Sequence, residues 1–412
     1  MHSSIQRSSH GSFAHRHENG PMRRNSGNAH AMTKMLVRSF QKRGAVMQRT
    51  TSRREFLALA AAAGALTHKP AFAREETQSL GAIAAKNGFI FGAAAGPVID
   101  TDRAYRQLYV DHTCIITTDI ALKMSRVAPA AGAKRFEAAD KLLQFCTQHR
   151  IPLRGHCLIW NEWVPQWIKS MTSAERARFF DGYIDDVAGR YAGKLHSWDV
   201  VNEPFWPGHK APGGYRLGPW YETFGTDYVR RAFVRARAAD PRTTFVLNEA
   251  HAERDDETGR GVRSGILKLV DELQHAGVSL QAVGLQGHLQ PRYPHDLNRF
   301  LDFVHALAAK KVDIYITEFD VRDDTFPDDI GTRDAMVADT ARRFLAGVLA
   351  IPAVKMVVAW QLADQYSFYR DAVKQKNPGS ERWPRPLPFD EQMQRKPLWY
   401  AMADAFRDAR KA

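Results

Sequence analysis

Cysteine is scarce in this chain of 412 residues, which has only Cys114, Cys146 and Cys157. No two of them stand at CxxC spacing, which excludes zinc ribbons and thioredoxin-like redox motifs. Three thiols cannot all pair, so at least one stays free in an oxidising compartment. Buried, inert thiols are the expectation, with a single Cys114–Cys157 bridge as the alternative. There is no HExxH, and the histidines do not fall at metal-ligand spacing, so a metal centre is not expected. There is no GxSxG elbow for a seryl hydrolase. The first strand-like run is followed by Phe91-Gly92-Ala93-Ala94-Ala95-Gly96 rather than GxGxxG, so no dinucleotide cofactor is implied either. Apolar runs never approach the ~20 residues that cross a bilayer, and neither an internal repeat nor a linker divides the chain after residue 80.

An even spread of charge is also missing. Residues 1–73 carry twelve Lys or Arg against two acids, while the remainder carries 46 against 43. The net charge of +13 therefore belongs mostly to the first segment, and a basic stripe for nucleic acid is not supported elsewhere. Residues 1–46, rich in Ser, His, Asn and Arg without periodicity, are expected to be a disordered extension. Residues 47–73 have the grammar of a twin-arginine signal peptide. Ser52-Arg53-Arg54-Glu55-Phe56-Leu57 precedes a short apolar run to Leu66, and Ala71-Phe72-Ala73 fits a signal-peptidase site. Translation from Met1 and from Met47 both remain open. The expectation is a periplasmic or secreted protein without a membrane anchor, acting as a monomer.

What the chain does have is alternation. Eight short β-rich runs, at 89–94, 114–118, 153–159, 195–202, 244–247, 282–286, 313–317 and 355–360, are separated by longer helical patterns. Several runs are apolar throughout, such as Ile314-Tyr315-Ile316, as strands buried on both faces are. Thr172 with Glu175 makes a capping box before Phe179, Phe180, Tyr183, Ile184 and Val187 at helical spacing. Ile266, Leu269, Val270 and Leu273 repeat that spacing, and Gly277 can end their helix. Eight strands alternating with helices predict an α/β fold, a single (β/α)8 TIM barrel over residues 80–410. Residues 371–395, with several prolines, read as a long loop, and the acidic run Glu253, Asp255, Asp256, Glu257 as a solvated loop rather than a Ca²⁺ site.

Active sites of such barrels lie at the C-terminal ends of the strands. The fourth run ends Trp198-Asp199-Val200-Val201-Asn202-Glu203 and the seventh ends Ile316-Thr317-Glu318-Phe319-Asp320. Two carboxylates thus reach one rim from different strands, as glycoside cleavage requires: one protonates the departing oxygen, the other attacks the anomeric carbon or activates water.

With these residues the chain resembles the family 10 glycoside hydrolases, best known as endo-β-1,4-xylanases, over about residues 85–408. The resemblance is carried by WDVVNE at 198–203, GLQGHL at 284–289 and ITEFD at 316–320. RGHCLIW at 154–160 and Trp360 followed by Asp364 and Ser367 add to it. It implies a retaining endo-xylanase with Glu203 as acid/base and Glu318 as nucleophile, their carboxyls roughly 5–5.5 Å apart. Asn202 is then the partner of the sugar 2-hydroxyl. His288, backed by Asp320, holds Glu318 in its ionised orientation, and Gln286 orients a carboxylate or a hydroxyl. Lys123 and His156 offer donors near the cleavage point, and Trp160 and Trp360 offer flat faces to a pyranose ring. Phe368 stands where the family usually has Trp. Asp119-Ile120 stands where Glu-Asn is usual, in contact with the sugar next to the cleaved one. Ile120 cannot hydrogen-bond, and each bond so lost is worth ~0.5–1.5 kcal/mol. Met124 stands where the family has an aromatic, Asn161 replaces a common His, and Asn248-Glu249 stands where Asn-Asp is common.

The catalytic pair is therefore expected to be standard and glycone recognition not. Other retaining barrel hydrolases, acting on mannan, glucan or arabinosides, remain the alternative. A non-catalytic carbohydrate-binding barrel would require the loss of a carboxylate, and both are present.

Overall fold

The computed structural model describes residues 78–409. The extension at 1–46 and the twin-arginine segment at 47–73 lie outside the described residues. Nine strands occur among the described residues: β1 (Ile90–Ala95), β2 (Ile115–Thr118), β3 (Leu153–Trp160), β4 (Ser197–Asn202), β5 (Thr244–Glu249), β6 (Ala282–Leu285), β7 (His288–Leu289), β8 (Asp313–Val321) and β9 (Val354–Ala359). Every pairing between them is parallel. The hydrogen-bonded order runs β6-β5-β4-β3-β2-β1-β9-β8, and β6 pairs with β8 to close the ring. This is the expected (β/α)8 barrel. The strand runs are displaced from the expected ones by a residue or two at most ends. The exceptions are β8, four residues longer, and the two-residue β7, which pairs with that extension through His288↔Asp320 and Leu289↔Val321.

The strands are apolar on both faces because each face has its own core. Ile314 and Ile316 of β8 belong to the large cluster under the helices, whereas Tyr315 joins Ile115, Val246, Ala282, Met356 and Val358 in a separate cluster inside the barrel. Simple alternation would turn Phe319 inward after Tyr315 and Thr317. The register of β8 against β9 slips between Ile316 and Phe319, and Phe319 instead packs on the helix side against Phe344. Such an irregularity re-aims side chains at the rim of a barrel, and here it falls at Glu318.

Helix ends follow their sequence signals. Thr172 and Glu175 close the capping box of the helix Ser173–Arg190, and Gly277 follows the helix Glu257–His275 with φ 67°. Two expectations are corrected. Residues 371–395 are not all loop, since Phe368–Lys376 is helical with Ser367 capping it. The acidic run is not a solvated loop. Glu253 is buried, Asp255 pairs with Arg263 and Arg299, and Asp256 caps its helix at the Gly259 amide. Cys114, Cys146 and Cys157 are all free, so the Cys114–Cys157 bridge is not formed. Burial raises all three thiols, Cys146 to about 12, which disfavours the nucleophilic thiolate.

Candidate active site

Eight strand ends converge on a cleft of about 940 Å³. Eleven of the twelve residues expected from the sequence line it: Asp119, Lys123, His156, Trp160, Asn202, Glu203, Gln286, His288, Glu318, Trp360 and Phe368. The twelfth, Asp320, is buried behind His288. Ile120 lines the cleft as well.

Glu318 is nearly inaccessible at 5% exposure. Its Oε1 accepts from Asn248 Nδ2 at 2.8 Å, and its Oε2 lies 3.2 Å from His288 Nε2. The other ring nitrogen of His288 lies 2.8 Å from Asp320 Oδ2, and Asp320 Oδ1 accepts from the Tyr369 hydroxyl at 3.2 Å. Burial alone would strip the proton from His288, but the two carboxylates flanking it win and hold it well above the usual imidazole range. Burial likewise pushes Glu318 up. The His288 hydrogen bond and the charges of His156, His288 and Lys123 reverse that and bring it down to about 2. A cationic imidazole thus sits between two anions, with Glu318 ionised through the physiological range.

Asn248 fixes more than Glu318. Its Oδ1 accepts from Thr317 Oγ1 at 2.6 Å, which orients the amide, and its Nδ2 also donates to Asn202 Oδ1 at 2.8 Å. With its carbonyl so occupied, Asn202 turns its remaining amide donors to any ligand. Gly284 of β6 makes room for this amide, since a Cβ there would lie 2.3 Å from Asn248 Oδ1.

Glu203 follows the last residue of β4 with a left-handed φ of 49°, an uncommon backbone for a residue with a Cβ. Its amide donates to Asn248 O at 2.8 Å. Gln286 Nε2 donates to Oε1 and Arg216 Nη2 to Oε2, each at 2.9 Å, while Arg216 Nε donates to the Glu203 carbonyl at 3.0 Å. Arg216 also pairs with Glu162 and stacks over Trp206. Glu203 is more open than Glu318, its side chain 14% exposed against 7%. Beneath it Glu249 is fully buried. Burial and the charge of Glu203 push its carboxyl well above the usual range, which favours the neutral acid, and its oxygens accept from the Phe205 and Ala250 amides.

The walls are aromatic and cationic. Lys123 Nζ lies 4.7 to 5.8 Å from the ring centres of Trp163, Trp160 and Trp360. Trp160 and Trp163 run nearly parallel, and Trp163 is 43% exposed. His156 Nδ1 lies 3.0 Å from Asp199 Oδ2, and Asp199 in turn receives Arg154 inside the barrel.

Sequence reasoning assigned no role to Asn248, Arg216, Glu162, Trp163, Gln361 or Tyr369. Asn248 and Trp163 had a usable signal, since both lie within a few residues of a strand end. Arg216 and Tyr369 had none, because long returns of the chain bring them to the rim.

No helix of the described residues is long and apolar enough to cross a membrane, and no group of three or more His, Cys, Asp or Glu among them could hold a metal ion. Residues 79–405 match the model of glycosyl hydrolase family 10. Among curated relatives, endo-1,4-beta-xylanase A of Caldicellulosiruptor sp. (strain Rt8B.4) is 29% identical over 303 residues, covering 69% of this chain and 43% of that protein. Endo-1,4-beta-xylanase A of Phanerodontia chrysosporium is 28% identical over 330 residues, covering 78% and 75% respectively. The chain thus spans less than half of the first relative's length and three quarters of the second's. The crystal structure of native xylanase 10B from Thermotoga maritima superposes with a TM-score of 0.72 at 26% identity, over 81% of this chain and all of that one. Xylanase 10B from Thermotoga petrophila RKU-1, solved in complex with xylobiose, gives 0.71 at 26% identity, over 80% and 97%.

Proposed function

The chain belongs to glycosyl hydrolase family 10, and we propose that it is a retaining endo-β-1,4-xylanase in which Glu318 is the nucleophile and Glu203 the acid/base. The observation that carries this reading is the asymmetry of the two carboxylates. Glu318 is buried yet held ionised by the His288 imidazolium, whereas Glu203 lies across the same cleft, more open to solvent. An attacking group must be anionic, and a group that shuttles a proton must reach both the glycosidic oxygen and water.

In the first step a Glu318 oxygen forms a bond to the anomeric carbon as the glycosidic bond breaks. Glu203 delivers its proton to the leaving oxygen, and one half of the chain departs. In the second, Glu203 takes a proton from water while that water attacks the anomeric carbon, which releases Glu318 and restores the starting protonation. Two inversions retain the configuration. Asn202, its carbonyl tied to Asn248, would donate to the 2-hydroxyl of the reacting sugar. Gln286 and Arg216 orient Glu203. Lys123 and His156, whose Nδ1 is held by Asp199, contact neighbouring hydroxyls, and Trp160, Trp360 and Phe368 pack on ring faces. No metal or cofactor enters either step.

Ile120 favours a second reading, the same chemistry on a different β-linked glycan, because it presents methyls where a sugar hydroxyl would seek a partner. Product analysis separates the two. Xylo-oligosaccharides cut while gluco- and manno-oligosaccharides are left intact is the expected result. Turnover of another series alone would overturn the xylan assignment and keep the mechanism.

We further read residues 80–410 as the catalytic domain, acting as a monomer, and residues 47–73 as the signal for export to the periplasm or medium by the twin-arginine route. Replacing Arg53 and Arg54 by Lys should hold the activity inside the cell, and unchanged export would remove that reading.

A further inference from the structure

Gln361, directly after Trp360 at the end of β9, is among the few residues with a side chain to carry a positive φ, at 84°. That angle lies beyond the ordinary left-handed well, in a region that favours glycine. Strain of this kind persists only where surrounding contacts enforce it, and it concentrates at functional sites. Gln361 has such contacts on both ends of its amide. Its Oε1 accepts from the Tyr105 hydroxyl at 2.7 Å, and Tyr105 is braced by Tyr109 at 2.8 Å. Its Nε2 donates to Asp119 Oδ2 at 2.8 Å. The tyrosine pair thereby decides which way the amide points, and the amide decides which oxygen of Asp119 is occupied. The other oxygen, Oδ1, lies 3.9 Å from Lys123 Nζ at the edge of the cleft.

The position of this assembly in the cleft gives it a purpose. Arg216 and Glu162 surround Glu203 at one end, so the proton donor marks the side on which the leaving group departs. Asp119 and Gln361 lie on other strand ends, those of β2 and β9, beside Gly96. Asp119 feels the charges of Lys123, His156 and Glu318, and Lys123 and His156 act in turn on Glu318, so Asp119 belongs to the part of the cleft around the residue to which the retained sugar would be bonded.

We propose that Gln361 is a specificity-determining positioning residue: it locks Asp119 as the acceptor for a hydroxyl of the second retained sugar, so that the enzyme favours substrates with two or more rings on that side. The proposal rests on the assignment of Glu203 and Glu318 above. It gives this chain its own way of holding a shortened carboxylate opposite the apolar Ile120.

The test compares kcat/KM for an aryl β-xylobioside with that for the aryl β-xyloside bearing the same leaving group. In Gln361→Gly and in Gln361→Glu the xylobioside-to-xyloside ratio should fall about tenfold, mainly through KM. Q361E keeps the acceptor for Tyr105 but loses the donor to Asp119. The double variant D119N/Q361E restores a donor and acceptor in reversed order, leaving an oxygen for the sugar, and should recover most of the ratio. Circular dichroism confirms that each variant is folded. An unchanged ratio, an equal loss on both substrates, or no recovery in the double variant would overturn the proposal. If the wild-type protein cleaves aryl cellobioside instead, the xylan assignment fails while Gln361 is judged by the same ratio in the gluco series. A wild type inactive on both series would remove the underlying reading and this one with it.

Discussion

Glu318 keeps its charge in a place where burial opposes it, and that conflict is settled by one neighbour. His288 has its proton held by two carboxylates and lends the resulting charge to Glu318. The sign of the linkage follows for each group. The folded pKa of Glu318 is depressed to about 2, so its contribution to stability is complete above the unfolded value of about 4.5 and lost as pH falls toward 2. The folded pKa of His288 is raised, so its contribution is complete below about 6.5 and lost only as pH rises through the elevated folded value. Between those limits the pair is intact. Removing the far carboxylate should undo it: in Asp320→Asn, His288 loses its stronger partner, and Glu318 loses the cation that outweighs burial. The acidic limb of the kcat/KM profile should then move upward by one pH unit or more, with kcat reduced ~10- to 100-fold. A limb that stays in place would exclude His288 as the source of the Glu318 charge. In Glu318→Ala turnover should be abolished with the fold intact, and azide should rescue it as the inverted glycosyl azide. Residual wild-type rates, or an azide adduct of retained configuration, would transfer the nucleophile's role elsewhere.

At the scale of elements, the rim is built by irregularities in otherwise regular strands. Eight strands were legible in the sequence because each is buried on two faces and reads as an apolar run bounded by turn residues. The two carboxylates that line the cleft, Glu203 and Glu318, were legible because both follow such runs directly. What was not legible depends on where distant segments return. The two-residue β7 exists only because Leu289 meets Val321, and the slip in β8 at Glu318 is set by Phe319 finding Phe344. Arg216 grips both the carboxylate and the carbonyl of Glu203 from thirteen residues downstream, with no periodicity to announce it. Gly284 gives this scale its test. It occupies a strand interior, where glycine normally weakens pairing, and a Cβ there would meet both Asn248 Oδ1 at 2.3 Å and Thr317 Cγ2 at 2.8 Å. Gly284→Ala should therefore displace the amide that holds Asn202 and Glu318 together. A kcat loss of ~10²-fold is expected, as for misplacement of a catalytic group by about 1 Å, with near-native circular dichroism. Activity within twofold of wild type would show that Asn248 does not organise the pair.

Across the whole molecule, the barrel interior joins stability to the site through a single buried chain of contacts. Arg154 is fully buried. It donates to Ser197 Oγ at 3.0 Å and Thr117 Oγ1 at 3.3 Å, and it pairs with Asp199, tying β2, β3 and β4 together. The other oxygen of Asp199 holds His156 at the floor of the cleft. Removing only the cation, as in Arg154→Met, leaves a carboxylate stranded in an apolar interior, and should cost ~3–5 kcal/mol, read as a lower urea midpoint. Removing both charges with R154M/D199L should recover much of that stability, because a well-packed apolar pair often matches a buried ion pair. Activity should not recover with it, since His156 has then lost the partner that fixes its ring and tautomer. Stability and turnover would therefore separate in the double variant, and recovery of both would mean that His156 is held by packing alone. If they do separate, the pair is retained for the chemistry at the rim, and the barrel would be equally stable without it.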